Sequence, residues 1–177
     1  ISAATRISMA VTPANVNKVM LMAGQSLNAP ANDAFVGIFT STDSGTTFST
    51  TFTTTNIFNN FIGQNVLSGQ VDYNNVIEIS RTNENIIFTG GLVIWKSTDG
   101  GTNWNQSTAY WPAGPNYVHP DHHCLKINPL NNKLYNGNDG GVYVSSNDSD
   151  SWDYISVGLS TTQFYHFEEE NDVDETW

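Results

Sequence analysis

Ser97-Thr-Asp-Gly-Gly-Thr-Asn-Trp104 is the stretch that predicts the fold, because an equivalent stretch lies on either side of it. The earlier one is Ser41-Thr-Asp-Ser-Gly-Thr-Thr-Phe48, and the later, more divergent one is Ser145-Ser-Asn-Asp-Ser-Asp-Ser-Trp152. In chain order we call residues 41–48, 97–104 and 145–152 the first, second and third box. A pattern that returns at intervals of roughly 50 residues indicates a repeat architecture.

The sequence around the boxes repeats as well. Three short apolar segments precede each box, separated by turns rich in Asn, Pro or Gly, and a fourth segment follows it. We label the four segments of each unit A, B, C and D in chain order. Strands A are predicted at 6–11, 76–79 and 124–127, and strands B at 19–22, 86–88 and 134–135. Strands C are predicted at 36–39, 92–95 and 142–144, and a strand D at 152–155. Four short antiparallel strands per unit of this length are typical of a β-propeller blade.

The sequence therefore predicts an all-β fold, an incomplete β-propeller of about three four-stranded antiparallel blades. We assign 1–56 to the first blade, 57–110 to the second and 111–157 to the third. Residues 158–177 are predicted to begin a further blade and to end in an acidic tail. Because propellers close with about 4–8 blades, the remaining blades are expected to come from the same parent protein or from another chain.

Each box has the composition of a structural turn between strands C and D. An Asp or Asn accepts hydrogen bonds from the backbone of its own turn, a Ser hydroxyl adds local bonds, and a Gly takes a backbone conformation that other residues adopt with strain. The closing aromatic is expected to fold back as a plug between blades. These structural positions are Ser41, Asp43, Gly45, Phe48, Ser97, Asp99, Gly101, Trp104, Ser145, Asn147 and Trp152.

Composition excludes several classes of protein. The 177 residues contain 17 Asp and Glu against 6 Lys and Arg, for a net charge of -11, which disfavours binding to nucleic acid or to anionic membrane surfaces. One cysteine excludes an internal disulfide. We expect no membrane insertion and no cofactor. The low share of charged residues, 13%, favours a secreted or cell-surface location.

The boxes resemble Asp-boxes, also called bacterial neuraminidase repeats, which occur in sialidases, sortilin-type propellers and xyloglucanases. A wider likeness covers residues 69–167 and includes the motifs Gly69-Gln-Val-Asp-Tyr73, Gly90-Gly-Leu-Val-Ile-Trp95, Val118-His-Pro-Asp-His-His123, Gly137-Asn-Asp-Gly-Gly-Val-Tyr143 and Gly158-Leu-Ser-Thr-Thr-Gln-Phe-Tyr165. This succession is similar to the propeller region of large secreted surface proteins of the Bacteroidetes type, described as sortilin-like or glycosyl-hydrolase-like.

A cluster of His and Asp before the third strand A is the densest group of chemically active residues. Strand alternation is expected to place His119, Asp121 and His123 on one face, and His122 with Cys124 on the other. Such residues can bind a divalent metal, or form a polar group that contacts a ligand at the channel mouth. We expect no bound metal and treat His119, His122 and His123 as candidate ligand contacts.

A second candidate is the Asn138-Asp139-Gly140-Gly141 turn. It resembles the Asp-x-Gly-Gly turn that carries a catalytic Asp in xyloglucanase-type propellers. By the same resemblance, His123 stands where those enzymes have their second Asp, and Asp121 is the nearby substitute. Glycosidases need two carboxylates, so Asp139 and Asp121 are the acid/base pair if the chain is an enzyme. Trp111 and Tyr117 lie in an aromatic loop that can stack on sugar rings or roof the core.

Three functions remain open at this stage. We favour a secreted or cell-surface module that binds carbohydrate or protein without catalysis. The alternatives are a glycoside hydrolase and a structural spacer in a large adhesin.

Overall fold

The computed structural model describes residues 4–26, 34–58 and 70–159. Within these ranges the regular structure consists of strands. They are β1 (Arg6–Thr12), β2 (Asn15–Gln25), β3 (Ala34–Ser41), β4 (Ser49–Phe52), β5 (Val76–Ile79), β6 (Ile87–Gly90), β7 (Ile94–Ser97), β8 (Asn105–Gln106), β9 (His122–Ile127), β10 (Leu134–Asn138), β11 (Gly141–Ser145) and β12 (Asp153–Tyr154). No helix in this part of the chain has the length and apolarity to cross a membrane.

The strands form three four-stranded antiparallel sheets with the orders β1-β2-β3-β4, β5-β6-β7-β8 and β9-β10-β11-β12. We call these sheets blade one, blade two and blade three. Strand β1 contacts β5, and β5 contacts β9, so the first strand of each blade lies on the inner side of the array. The predicted all-β architecture of antiparallel blades is confirmed. Most of the predicted further blade and the acidic tail lie outside the described residues.

The core lies between successive blades because alternate residues of each strand face opposite sides. Between blades one and two, a cluster of buried apolar residues includes Ala10, Met20, Met22, Ile38, Ile77, Ile79, Ile87 and Trp95. Between blades two and three, the buried residues are Phe88, Ile94, Leu125, Ile127 and Leu134. We call the face of a blade that packs on the preceding blade its front face, and the face that packs on the next blade its back face. The first cluster thus joins the back face of blade one to the front face of blade two, and the second joins the back face of blade two to the front face of blade three.

The front face of blade one is apolar and exposed. Cross-strand register makes Met9 and Val11 the equivalents of Ile77 and Ile79, which are buried on the front face of blade two. Met9 and Val11 are 64% and 61% exposed. No described residue covers this face, although its composition matches faces that are buried elsewhere in the molecule.

The second box is held by a compact set of hydrogen bonds. The Ser97 hydroxyl accepts the Gly101 N–H and donates to Asp99, both at 2.9 Å. Asp99 in turn accepts the Asn103 N–H at 2.9 Å and its side-chain amide at 2.6 Å. Gly101 has φ +98°, a conformation in which glycine is least strained. The side-chain hydrogen bonds of the box are thus all local, and the Gly100 N–H ties the turn to the Asn85 carbonyl at 3.0 Å.

The other two boxes repeat this geometry. The N–H groups of Gly45 and Ser149 each donate to the box serine at 2.9 Å. Asn147 replaces the aspartate in the third box and still accepts a backbone N–H, from Ser151, at 3.0 Å. Ser149 replaces the glycine and holds φ +70°. The turn therefore tolerates both replacements, and the degraded sequence keeps the fold of the box.

Asp99→Ala should lower the free energy of unfolding by about 1–2 kcal/mol, because the turn loses its acceptor for two N–H groups. Asp99→Asn is the matched control and should cost much less, since Asn147 makes the equivalent backbone bond. Denaturant unfolding of both variants tests this prediction. Equal losses for Ala and Asn would mean that charge rather than turn geometry stabilises the box.

The box aromatics pack against the preceding blade. Trp104 joins the core cluster between blades one and two, and its ring lies 6.3 Å from that of Phe52. Trp152 packs against the cluster between blades two and three. Phe48, at the same position of the first box, is 37% exposed. Its exposure follows from the uncovered front face of blade one.

Candidate functional site

The inner ends of blades two and three meet where the candidate residues lie. Strands β5 and β9 begin side by side there, and the turn between β10 and β11 joins them from the same blade as β9. We call the side chains at this point the inner cluster: Tyr73, Asn74, His119, Asp121, His123 and Asp139.

Local sequence fixes the turn that presents Asp139. The Asn138 side chain accepts the Gly140 N–H at 2.9 Å, which is Asx-turn geometry. Gly141 has φ +126°. A Cβ on Gly140 would lie 2.5 Å from the ring of His119, so this position has room only for glycine. Asn138, Gly140 and Gly141 are therefore required by the turn, and Gly140 also by its contact with His119.

Asp139 is paired with His123. The two residues approach to 2.6 Å between Nε2 and Oδ1, and both side chains remain about one-third exposed. The ring of Tyr73, from blade two, meets the His123 ring edge-to-face with centroids 4.6 Å apart. Tyr73 is half exposed. The result is a hydrogen-bonded pair beside an accessible aromatic ring.

Asp121 has a different environment. Its backbone has φ +65°, and its carboxylate accepts the Asn74 side-chain amide at 2.7 Å across the blade interface. Burial raises the pKa of Asp121, and the nearby charge of Asp139 raises it further. The cluster thus contains one carboxylate paired with histidine and a second whose pKa is raised.

His122 is fully buried and faces blade two. The Asn136 amide nitrogen donates to the Cys124 carbonyl at 3.1 Å, so the Asn136 oxygen faces His122 and accepts its Nδ1–H at 3.1 Å. Burial lowers the pKa of His122 to about 4. Its Nε2 finds no hydrogen-bond partner within the described part of the chain.

The expectation that His122 and Cys124 share a face is wrong. His122 pairs with Asn138 and Cys124 with Gly137, which leaves His123 as the extra residue of a β-bulge. The bulge turns His122 into the interface and leaves Cys124 exposed.

Of the remaining candidates, His119 belongs to the inner cluster, whereas Trp111 and Tyr117 lie outside it. His119 Nδ1 lies 3.1 Å from the Pro120 carbonyl. Trp111 is exposed and meets Tyr110 edge-to-face, whereas Tyr117 is half buried and forms a bridge with Ala109. Across residues 4–26, 34–58 and 70–159 no group of three or more His, Cys, Asp or Glu is placed to hold a metal ion.

Sequence reasoning did not single out Tyr73 and Asn74 as site residues. Both come from blade two and reach the cluster through long-range contacts. Asn74 contacts Asp121, 47 positions later in the chain, and Tyr73 contacts His123, 50 positions later. The available signal was the Gly69-Gln-Val-Asp-Tyr73 motif, which directly precedes the inner strand of blade two.

Comparison with known proteins supports the fold. No family model and no curated protein matches the sequence. Among solved structures, the chain is similar to the GH74 enzyme of Niastella koreensis, with 21% identity over 84% of this chain and 22% of that one, at a TM-score of 0.57. An ancestral GH74 enzyme gives 19% identity over 87% of this chain and 20% of that one, at 0.54.

YCF48 from Cyanidioschyzon merolae gives 18% identity over 82% of this chain and 35% of that one, at a TM-score of 0.48. The chain thus spans about one-fifth of the two GH74 enzymes and about one-third of YCF48. At these identities the likeness to the GH74 enzymes concerns the fold alone. The three sheets are blades of a β-propeller.

Proposed function

We propose that the chain is part of a secreted or cell-surface β-propeller that binds a hydroxyl-rich ligand, a carbohydrate in preference to a protein, at the inner cluster and without catalysis. The His123–Asp139 pair supplies a donor and an acceptor, which are the groups that sugar hydroxyls require. Tyr73 supplies an accessible ring on which a sugar can stack. The low share of charged residues supports the extracellular location.

The pairing of Asp139 with His123 is the observation that carries this proposal. A glycosidase needs two carboxylates in complementary protonation states on either side of the scissile bond. Here Asp139 is bonded to an imidazole at 2.6 Å, and Asp121 is bonded to an amide at 2.7 Å. Both carboxylates are engaged by side chains of the cluster, which suits a fixed recognition site.

Asp139→Asn should weaken carbohydrate binding about tenfold or more, because it removes a charge-assisted hydrogen bond. Tyr73→Ala should have a similar effect through loss of stacking. A glycan array identifies the ligand, and titration of the best glycan with each variant measures the loss. Asp153→Asn is the matched control: this exposed aspartate lies on β12, outside the cluster, and its replacement should leave binding unchanged.

The outcomes separate the three functions. Binding that depends on Asp139 and Tyr73 without release of reducing sugar supports the proposal. Binding by neither the wild type nor any variant on a broad array contradicts it and favours a spacer.

A glycoside hydrolase is the second candidate, because burial and Asp139 both raise the pKa of Asp121. A raised pKa is the property that a general acid needs at neutral pH. Asp139 would then be the base. Release of reducing sugar from xyloglucan or a β-glucan, abolished in Asp139→Asn and in Asp121→Asn, would establish this activity in place of simple binding.

We also propose that another propeller blade, from the same parent protein or from a second chain, covers the front face of blade one. The support is the equivalence of Met9 and Val11 to Ile77 and Ile79, which blade one itself covers. A back face of alternating apolar residues is the partner that this surface fits.

A further inference from the structure

A cleft of about 720 Å³ separates the outer parts of blades two and three. The wall on the blade-two side contains the consecutive run 105–109, which includes β8, and the wall of blade three contains Ser149 and Asp150, with Pro115 and Asn116 from the segment between the two blades. Lys96 and Thr98 complete the lining. The volume lies in the range of ligand sites, and none of these residues belongs to the inner cluster.

The β8 wall presents a free strand edge. Ser107 donates its N–H to the Ile94 carbonyl at 2.8 Å, which continues the β7–β8 pairing beyond the ladder of Trp95 with Gln106. In an antiparallel ladder only alternate residues bond the same neighbour. The N–H and C=O of Gln106 therefore point away from β7, and the described residues give neither group a partner.

Several polar side chains of the lining already make hydrogen bonds within the chain. The Asn116 amide donates to the carbonyls of Ser107 and Ser149, and the Gln106 amide donates to the Thr108 carbonyl. The eleven lining residues include no aromatic ring on which a sugar could stack. The cleft thus offers the outward N–H and C=O of Gln106 and no ring for stacking, which favours main-chain pairing over sugar recognition.

We propose that this cleft binds an extended peptide segment that adds to β8 as a further strand and carries lysine or arginine. Strand addition to a free sheet edge is a general mode of peptide recognition. The charge preference follows from the wall of blade three. Lys96 is bonded to Asp150 at 2.8 Å, and the Asp150 side chain is still 69% exposed, beside exposed Asp148. A basic side chain can pair with these carboxylates.

A synthetic heptapeptide of alternating threonine and valine with two lysines is the probe, and its counterpart with two glutamates is the charge control. Fluorescence anisotropy should show tighter binding of the lysine peptide. Gln106→Pro removes the outward N–H but no bond to β7, and it should weaken binding tenfold or more. Gln106→Ala keeps the N–H and should bind within twofold of the wild type.

Amide hydrogen exchange on the wild-type chain tests the same contact without relying on the proline variant. The Gln106 amide should exchange at least tenfold more slowly when the lysine peptide is saturating. The proposal would be overturned by an unchanged exchange rate of the Gln106 amide, or by peptide affinity of Gln106→Pro equal to that of the wild type. It would also be overturned if xyloglucan oligosaccharides protected the Gln106 amide and the peptide did not. Gln106→Pro should leave carbohydrate binding at the inner cluster unaltered, so failure at one site is distinguishable from failure at the other.

Discussion

Trp104→Ala should lower the free energy of unfolding by about 3–5 kcal/mol, the range for removing a buried aromatic side chain. Trp104 is 9% exposed, joins the core between blades one and two, and donates its indole N–H to the Gly101 carbonyl at 2.8 Å. The variant loses apolar contacts with blade one, leaves a cavity and frees a buried carbonyl. Equilibrium denaturation in urea measures the loss.

Phe48→Ala is the matched control, because Phe48 holds the same position in the first box. It is 37% exposed, since no described residue packs on the front face of blade one. Its removal should cost less than about 1 kcal/mol, in the range of partly exposed positions. Equal losses at Trp104 and Phe48 would mean that the box aromatics stabilise their own turns and not the packing between blades.

The blades were predictable because the information that defines them is local. Each box closes through bonds between residues at most four apart, such as Ser97 with Gly101 and Asp99 with Asn103. Alternating apolar residues on either side then specify the strands. Strand β2 extends over Asn15–Gln25, beyond the predicted 19–22, because its ends are paired with β1 and β3 despite their polar sequence.

The inner cluster was only partly predictable because it depends on contacts between blades. His123 and Asp139 could be named from the sequence, but the bulge that brings them to 2.6 Å follows from the register of β9 against β10. Asn74 reaches Asp121 from blade two, at a distance fixed by blade packing. Strand alternation cannot anticipate a bulge or an interface, which is why it misplaced His122.

Acidification from about pH 6.5 to about pH 4 should destabilise the chain through His122. The unfolded chain binds a proton on this residue near the ordinary histidine pKa of 6.5, whereas burial lowers the pKa in the folded state to about 4. Between these values the unfolded state holds more protons, so stability falls as pH falls. The expected loss across the window is on the order of 3 kcal/mol, since each pKa unit corresponds to about 1.4 kcal/mol.

The environment of His122 explains why the folded chain resists its protonation. Burial is the largest effect and outweighs the Asn136 hydrogen bond, which favours the cation, and Nε2 has no acceptor for a new proton among the described residues. Positive charge on His119 or His123 opposes it further. Asp121 acts in the opposite sense near the acidic end of this pH window. Because its pKa is raised in the folded state, the folded chain takes up a proton on this carboxyl at a higher pH than the unfolded chain does, which stabilises the folded state as the pH falls.

His122→Gln should flatten the dependence of unfolding free energy on pH between about 6.5 and 4.5, since glutamine does not titrate. The free energy of unfolding of His122→Gln at pH 7 can itself be lower than that of the wild type. The measurement that tests the prediction is therefore the slope of unfolding free energy against pH. His123→Gln is the matched control: that side chain is one-third exposed and paired with Asp139, and its removal should leave most of the slope in place. If His122→Gln kept the wild-type slope, another group would be responsible, and the buried neutral imidazole between blades two and three would be contradicted.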